Sequence, residues 1–340
     1  MHLTYLNSSR IMERCAYRKL NKFLRMVVLI ALLGILQIPL AFAVEQDSQQ
    51  SEKAEVASLM ARVGPPSQSA IDEFKKAGME GVRPHTLTAP ERAKVAAALA
   101  SLPALNRHVL DKKLRYLAFV DGIPGEGTGL TGQVEKTGLY DITLRASIVN
   151  ELLSSFLTTK ERRVFSDDGS GITVAVEGTG TDALTYVLLH ESTHVVDSAC
   201  GITAEPHSQF TAGIWTAHRE MVSELTPSVA ASTYFHGGHP IGIGKAAAVY
   251  DALAQTPFVS LYATASRNED FAELVAWDEV LKQHEGNLVI EVHDAHGKIL
   301  ERWEPLTFPK VQKRFAEVDA LLASQASCSS LSSYVDVLEQ

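Results

Sequence analysis

His190-Glu191-Ser192-Thr193-His194 decides how this chain is read, because it spells H-E-x-x-H inside an apolar run. Ala183, Leu184, Tyr186, Val187, Leu188 and Leu189 precede it, and Val195 and Val196 follow. Thr181 or Asp182 supplies a helix start and Gly201 a stop, so the stretch is predicted to be one buried helix. Residues four apart on a helix stand one above the other, which brings the His190 and His194 imidazoles to one ion. Glu191 sits one step round, placed to act as a general base on water without itself being a ligand. The bland alternative is a pair of surface histidines beside a solvated glutamate. An apolar helix carrying all three residues argues against it.

Outward from the motif, the question is the third ligand, and four candidates compete. Cys200 lies six residues past His194, but Asp197 occupies the position where a turn would have to begin, so the chain is expected to stay helical. Cys200 then falls about 9 Å further along the axis. Asp197 shares the histidine face, yet three ligands from one straight helix strain a tetrahedral site. A hydrogen-bonding role that orients a ligand suits it better, against the plain alternative of a surface carboxylate. Glu269 lies in Ser266-Arg267-Asn268-Glu269-Asp270-Phe271-Ala272-Glu273, at the start of an amphipathic helix. Glu273 is one turn on, so one carboxylate can bind metal while the other orients a ligating histidine. Ser266 and Glu269 also spell S-x-x-E, a capping box in which Glu269 only closes its own helix. The last candidates are the loop histidines His207, His218, His236 and His239. On the residues alone, ligand and cap are equally good readings of Glu269.

His190-Glu191-x-x-His194-x-x-Asp197, with a later Tyr262-x6-Glu269-x3-Glu273, resembles the gluzincin metallopeptidases, and most of all the catalytic domain of anthrax lethal factor and its relatives. The resemblance covers residues 190–197 and 262–277. It implies a zincin-like domain, one Zn²⁺ held by His190, His194 and Glu269, and Tyr262 as hydroxyl donor to the transition state. The alternative for Tyr262 is a core tyrosine packed beside Leu261 and Phe258. His194 and Glu269 are 75 residues apart, a longer interval than the family suggests, and Asp270 stands where the pattern has an aromatic. The function so implied is a zinc metalloendopeptidase acting on a peptide or protein. Its rival is a non-catalytic binding or envelope-scaffold protein on the same frame.

The rest of the chain sets the context. Arg10, Arg14, Arg18, Lys19, Lys22 and Arg25 precede an apolar run from Met26 to Phe42 that ends in Ala41-Phe42-Ala43. Residues 1–43 therefore read as a signal peptide, in preference to an uncleaved anchor, and the protein as exported to a periplasm or secreted without stable membrane insertion. Removing six basic residues and one acidic residue leaves a net charge near −14, against −9 for the whole chain. Such a balance disfavours nucleic acid as a partner. Cys200 and Cys328, both beyond the leader, are expected to pair.

Residues 44–80 read as a polar linker and N-terminal helical extension, and 81–340 as the catalytic domain. Helices are expected near 55–62, 70–76, 90–102, 147–157 and 309–323. Strands are expected over 114–120 and 139–144, with a hairpin of 288–293 and 298–303. Gly122, Gly125, Gly127, Gly129 and Gly132 read as a loop bordering the cleft, and the alternating 171–176 as an edge strand running along it. The segment 202–257 is a long insert between the two halves of the site. The class is α+β, with a small, mostly antiparallel sheet.

Overall fold

The structure is a computed structural model and describes residues 49–204, 208–226 and 228–324. The expected leader and Cys328, and with it the Cys200–Cys328 pairing, lie outside the described residues. The described residues from Glu55 onward group as one compact unit. No helix among the described residues is long and apolar enough to cross a membrane.

The chain enters through helix α1 (helical over 49–61). There follow α2 (Gln68–Lys76), β1 (Glu80–Pro84), α3 (Ala89–Ala100) and α4 (Ala104–Lys113). A four-stranded sheet is built from β1, β2 (Leu114–Ile123), β3 (Gly129–Val134) and β4 (Leu139–Arg145), in the order β1-β2-β4-β3. Its central pair, β2 and β4, is parallel, and the outer pairs are antiparallel. The sheet is thus mostly antiparallel, with one parallel pair where β4 inserts between β2 and β3. Next come α5 (Leu153–Glu161), β5 (Phe165–Ser166), β6 (Thr173–Gly178) and α6 (Ala183–Cys200).

Within the insert lie a small hairpin, β7 (Trp215–Ala217) with β8 (Glu220–Met221), then β9 (Ile241–Gly242) and α7 (Ala246–Ala254). The chain closes with α8 (Arg267–His284), β10 (Leu288–His293), β11 (Ile299–Trp303) and α9 (Pro309–Ser324). The architecture is α+β.

α6 is the centre of the molecule. Asp182 caps it, accepting from Thr185 N at 2.8 Å, and Gly201 ends it in the left-handed conformation (φ 67°) that a residue without Cβ adopts freely. From Ala183 to Asp197 every side chain is buried except His194. A helix apolar on all sides needs cover on all sides, and α4, α8, α5 and β3 provide it. His194 marks the one opening.

Three local expectations change. Residues 147–157 are not one helix: a 3₁₀ turn (Ala146–Asn150) precedes α5, and Leu152 at the junction has no side chain able to cap. The glycine-rich stretch becomes strand β3 from Gly129 onward. The strand at 173–178 does form, but it pairs with β10 in a separate sheet of order β11-β10-β6 and does not line the cleft.

Candidate metal centre

Three donor atoms converge where α6 meets α8. Nε2 of His190 lies 2.9 Å from Oε2 of Glu269 and 3.1 Å from Nε2 of His194, and Nε2 of His194 lies 3.5 Å from Oε2 of Glu269. A tetrahedral ion bound at about 2.0–2.1 Å separates its donors by about 3.3 Å. The three observed edges bracket that value, and among the described residues no other group of three His, Cys, Asp or Glu residues is close enough to hold a metal ion. The donor set is two imidazoles and one carboxylate, which suits a borderline first-row cation.

The two readings of Glu269 separate here. Ser266 is the N-cap of α8, and its Oγ accepts from Glu269 N at 3.3 Å. Only that half of the box is used: the Glu269 carboxylate turns to the histidines. Burial alone would raise the pKa of this carboxyl, but His194 and His190 hold it well below the usual range.

Glu273, one turn along α8, sits behind His190. Its Oε1 lies 3.2 Å from His190 Nδ1, though out of line for a hydrogen bond, so that buried nitrogen has no partner. The distance places the Glu273 carboxylate beside the nitrogen that carries the proton when Nε2 faces a metal. Glu273 is itself fixed by Tyr186 Oη (2.7 Å), Ser260 Oγ (2.7 Å) and Lys160 Nζ (3.3 Å). Burial pushes its pKa up, yet Lys160 and His190 more than reverse this, so it remains ionised. Burial likewise works against a charged His190, and the two carboxylates overcome it, raising its pKa to about 10. The pocket around His190 is therefore strongly favourable to positive charge.

Glu191 is held by β3. Thr131 Oγ1 donates to Glu191 Oε2 at 2.6 Å and lies 3.1 Å from the Glu191 carbonyl oxygen. Gly129 faces the other oxygen so closely that a Cβ there would sit 2.3 Å from Oε1. No other residue fits at 129 without displacing the carboxylate. Neither contact is legible in the sequence, because glycines carry no alternation from which a strand can be read.

Asp197 does not touch the histidines. Its Oδ1 accepts from Thr203 N and its Oδ2 from Thr203 Oγ1 and Asn268 Nδ2, each at 2.7 Å. It joins the end of α6 to the residue preceding Glu269. On the other side of Glu269, the fully buried Asp270 accepts two bonds from Arg314 of α9 (2.7 and 2.9 Å) and one from Trp215 Nε1 of the insert (2.8 Å). Both neighbours of Glu269 are thus anchored. The sequence gives no sign of these partners, which lie 44 and 55 residues away.

Tyr262 is half-buried. Its ring is 5.8 Å from that of His190 and carries Lys160 Nζ 3.4 Å above its centroid. Burial first, then Glu269, Glu191 and Glu273, push its hydroxyl pKa well up. Of the alternative ligands, Cys200 ends α6, His236 Nδ1 is engaged by Thr264 O, His218 lines the cleft, His239 is exposed, and His207 lies outside the described residues. The cleft over the triad has a volume of about 600 Å³, with Thr131, Tyr140, Tyr262 and Arg219 among its walls.

No protein-family profile matches the chain, and neither a curated protein nor a solved structure matches it. What identifies this protein is therefore its site: an α+β chain with a His190-His194-Glu269 group able to hold a metal ion.

Proposed function

We propose that this chain is an exported zinc-dependent endopeptidase of the gluzincin kind, on a zincin-like frame. One observation carries the reading. Glu269, 75 residues beyond His194, arrives within 2.9 Å of one H-E-x-x-H imidazole and 3.5 Å of the other, with its own helix already capped by Ser266. The donor set fits Zn²⁺, which when bound supplies a Lewis acid for a peptide carbonyl and for water.

The protein's residues divide the remaining work. Glu191, with Oε2 held by Thr131, takes a proton from the attacking water and delivers it to the leaving amine. Glu273 orients His190 through Nδ1. The Tyr262 hydroxyl, kept protonated by its surroundings, donates to the oxygen on which negative charge develops.

Elemental analysis and peptide hydrolysis test this together. Purified protein should hold close to one zinc, and a chelator should remove both metal and activity. Glu191→Gln should retain the zinc and lose at least about 100-fold in kcat. Hydrolysis that survives this change removes Glu191 as base, and a protein that takes up no zinc removes the reading.

A further inference from the structure

A smaller pocket of about 120 Å³ opens from the cleft at the metal site, since Gly129, His190, Glu191, Phe235 and Tyr262 line both spaces. Lys160, Arg163 and Glu126 add three charges to it. Of these, Lys160 is already paired with a carboxylate. Lys160 Nζ is 3.3 Å from Glu273 Oε1 and lies over the Tyr262 ring. Glu126 accepts from Tyr234 Oη, 2.7 Å from each of its oxygens, and its charge favours the charged form of Arg163 from beyond ion-pair distance.

Arg163 is different. Its guanidinium donates only to backbone oxygens, Glu126 O at 2.5 Å and Gly125 O at 3.4 Å. No carboxylate among the described residues lies within ion-pair distance of it. The side chain is nonetheless half-buried, and burial pulls its pKa down further than the more distant Glu126 raises it. A partly desolvated guanidinium with unused donors is matched in shape and charge to a carboxylate, which it grips with two parallel bonds. The pocket has room for a short acidic side chain or a chain terminus.

We propose that Arg163 anchors a substrate carboxylate, so that preferred substrates carry one on a residue adjoining the scissile bond. This rests on the peptidase reading. The carboxylate has two sources, an Asp or Glu side chain or the free C-terminus of a short peptide, and both present the same chemistry to Arg163.

The test uses matched peptides. One pair differs only as Glu against Gln beside the cleaved bond, with amidated ends. The other ends one residue past the bond, with a free or an amidated terminus. Hydrolysis is followed with zinc-loaded enzyme, and binding with zinc-loaded Glu191→Gln, which needs no turnover. The charged member of at least one pair should be favoured about 10- to 100-fold, the range of a charge-assisted bond. Arg163→Met should bring that ratio near one, and Arg163→Lys, which keeps the charge but not the fork, should leave part of it.

Equal handling of both pairs by the wild type, or a preference that survives in Arg163→Met, overturns the proposal, as does a lack of binding to all four peptides. If wild type cleaves nothing while Glu191→Gln still binds the charged member through Arg163, the carboxylate site stands and the peptidase reading falls. Cleavage without any charge preference does the reverse.

Discussion

Arg314→Met should damage the protein more than its distance from the triad suggests. The Arg314 guanidinium is buried and gives both hydrogen bonds of its fork to Asp270, whose side chain is 0 % exposed. Methionine fills most of the volume but leaves a carboxylate facing only the Trp215 indole and the first turn of α8. Removing one partner of a buried pair costs about 3–5 kcal/mol. Losing the guanidinium from its place 4.4 Å from the Phe210 ring centre adds about 0.5–1 kcal/mol. In the double variant with Asp270→Asn no buried charge is stranded, so the coupling between the two sites should reach about 2 kcal/mol or more. Urea unfolding under saturating chelator measures these values without a contribution from metal binding. Asp270 follows Glu269 in the chain, so zinc affinity measured with a competing indicator should fall on the order of tenfold. A loss below about 1 kcal/mol, with unchanged zinc affinity, would show that α9 does not brace the ligand helix.

Two further substitutions address the groups around the site. Glu273→Gln keeps an oxygen for His190 Nδ1 but removes the charge that Lys160 also answers, so zinc should bind about 10- to 100-fold more weakly; a dissociation constant unchanged within a factor of two rejects the orienting role. Glu161 is buried, accepts from Tyr250 Oη at 3.0 Å, and burial raises its pKa to about 7. An acid whose folded pKa exceeds its unfolded value of 4.5 loses stability as pH rises between the two, here about 3 kcal/mol by pH 7. Glu161→Gln should keep the Tyr250 bond and remove that loss, so its advantage over wild type should grow from pH 5 to pH 7.5 in thermal melts. Parallel pH profiles would show that Glu161 is ionised at no cost.

What could be read from the sequence is what local chemistry decides. α6 was legible because its start at Asp182, its apolar body and its stop at Gly201 are all encoded within twenty residues or so. The choice between cap and ligand at Glu269 was not, since the same S-x-x-E spelling serves both. Ser266 settles the backbone donor by itself, and only the arrival of α6 gives the carboxylate somewhere else to go. Alternation at Ile172, Val174 and Val176 correctly indicates a strand, but periodicity does not say which strand pairs with it, and β10 took it away from the cleft. β3 stayed hidden for the opposite reason. Its glycine at 129 is needed because the Glu191 carboxylate lies against the backbone, and that same residue removes the side chain that would have announced a strand.

The long interval before Glu269 and the acidic residue after it are linked by one set of contacts. An aspartate at 270 is tolerable in a fully buried position only with donors brought to it. The insert supplies the Trp215 indole, and α9 supplies Arg314. On the other flank, Asn268 is tied through its amide to Asp197 and Thr203, which connect it to the end of α6. Glu269 is thus held from both sides by bonds to its neighbours, and its own oxygens are left to the imidazoles. An insert joined to α8 in this way helps to hold the group that could bind a metal ion. Shortening it past Trp215 should therefore weaken zinc binding, measured with the same competing indicator, to the extent expected for Arg314→Met, even though it removes none of the three donor residues.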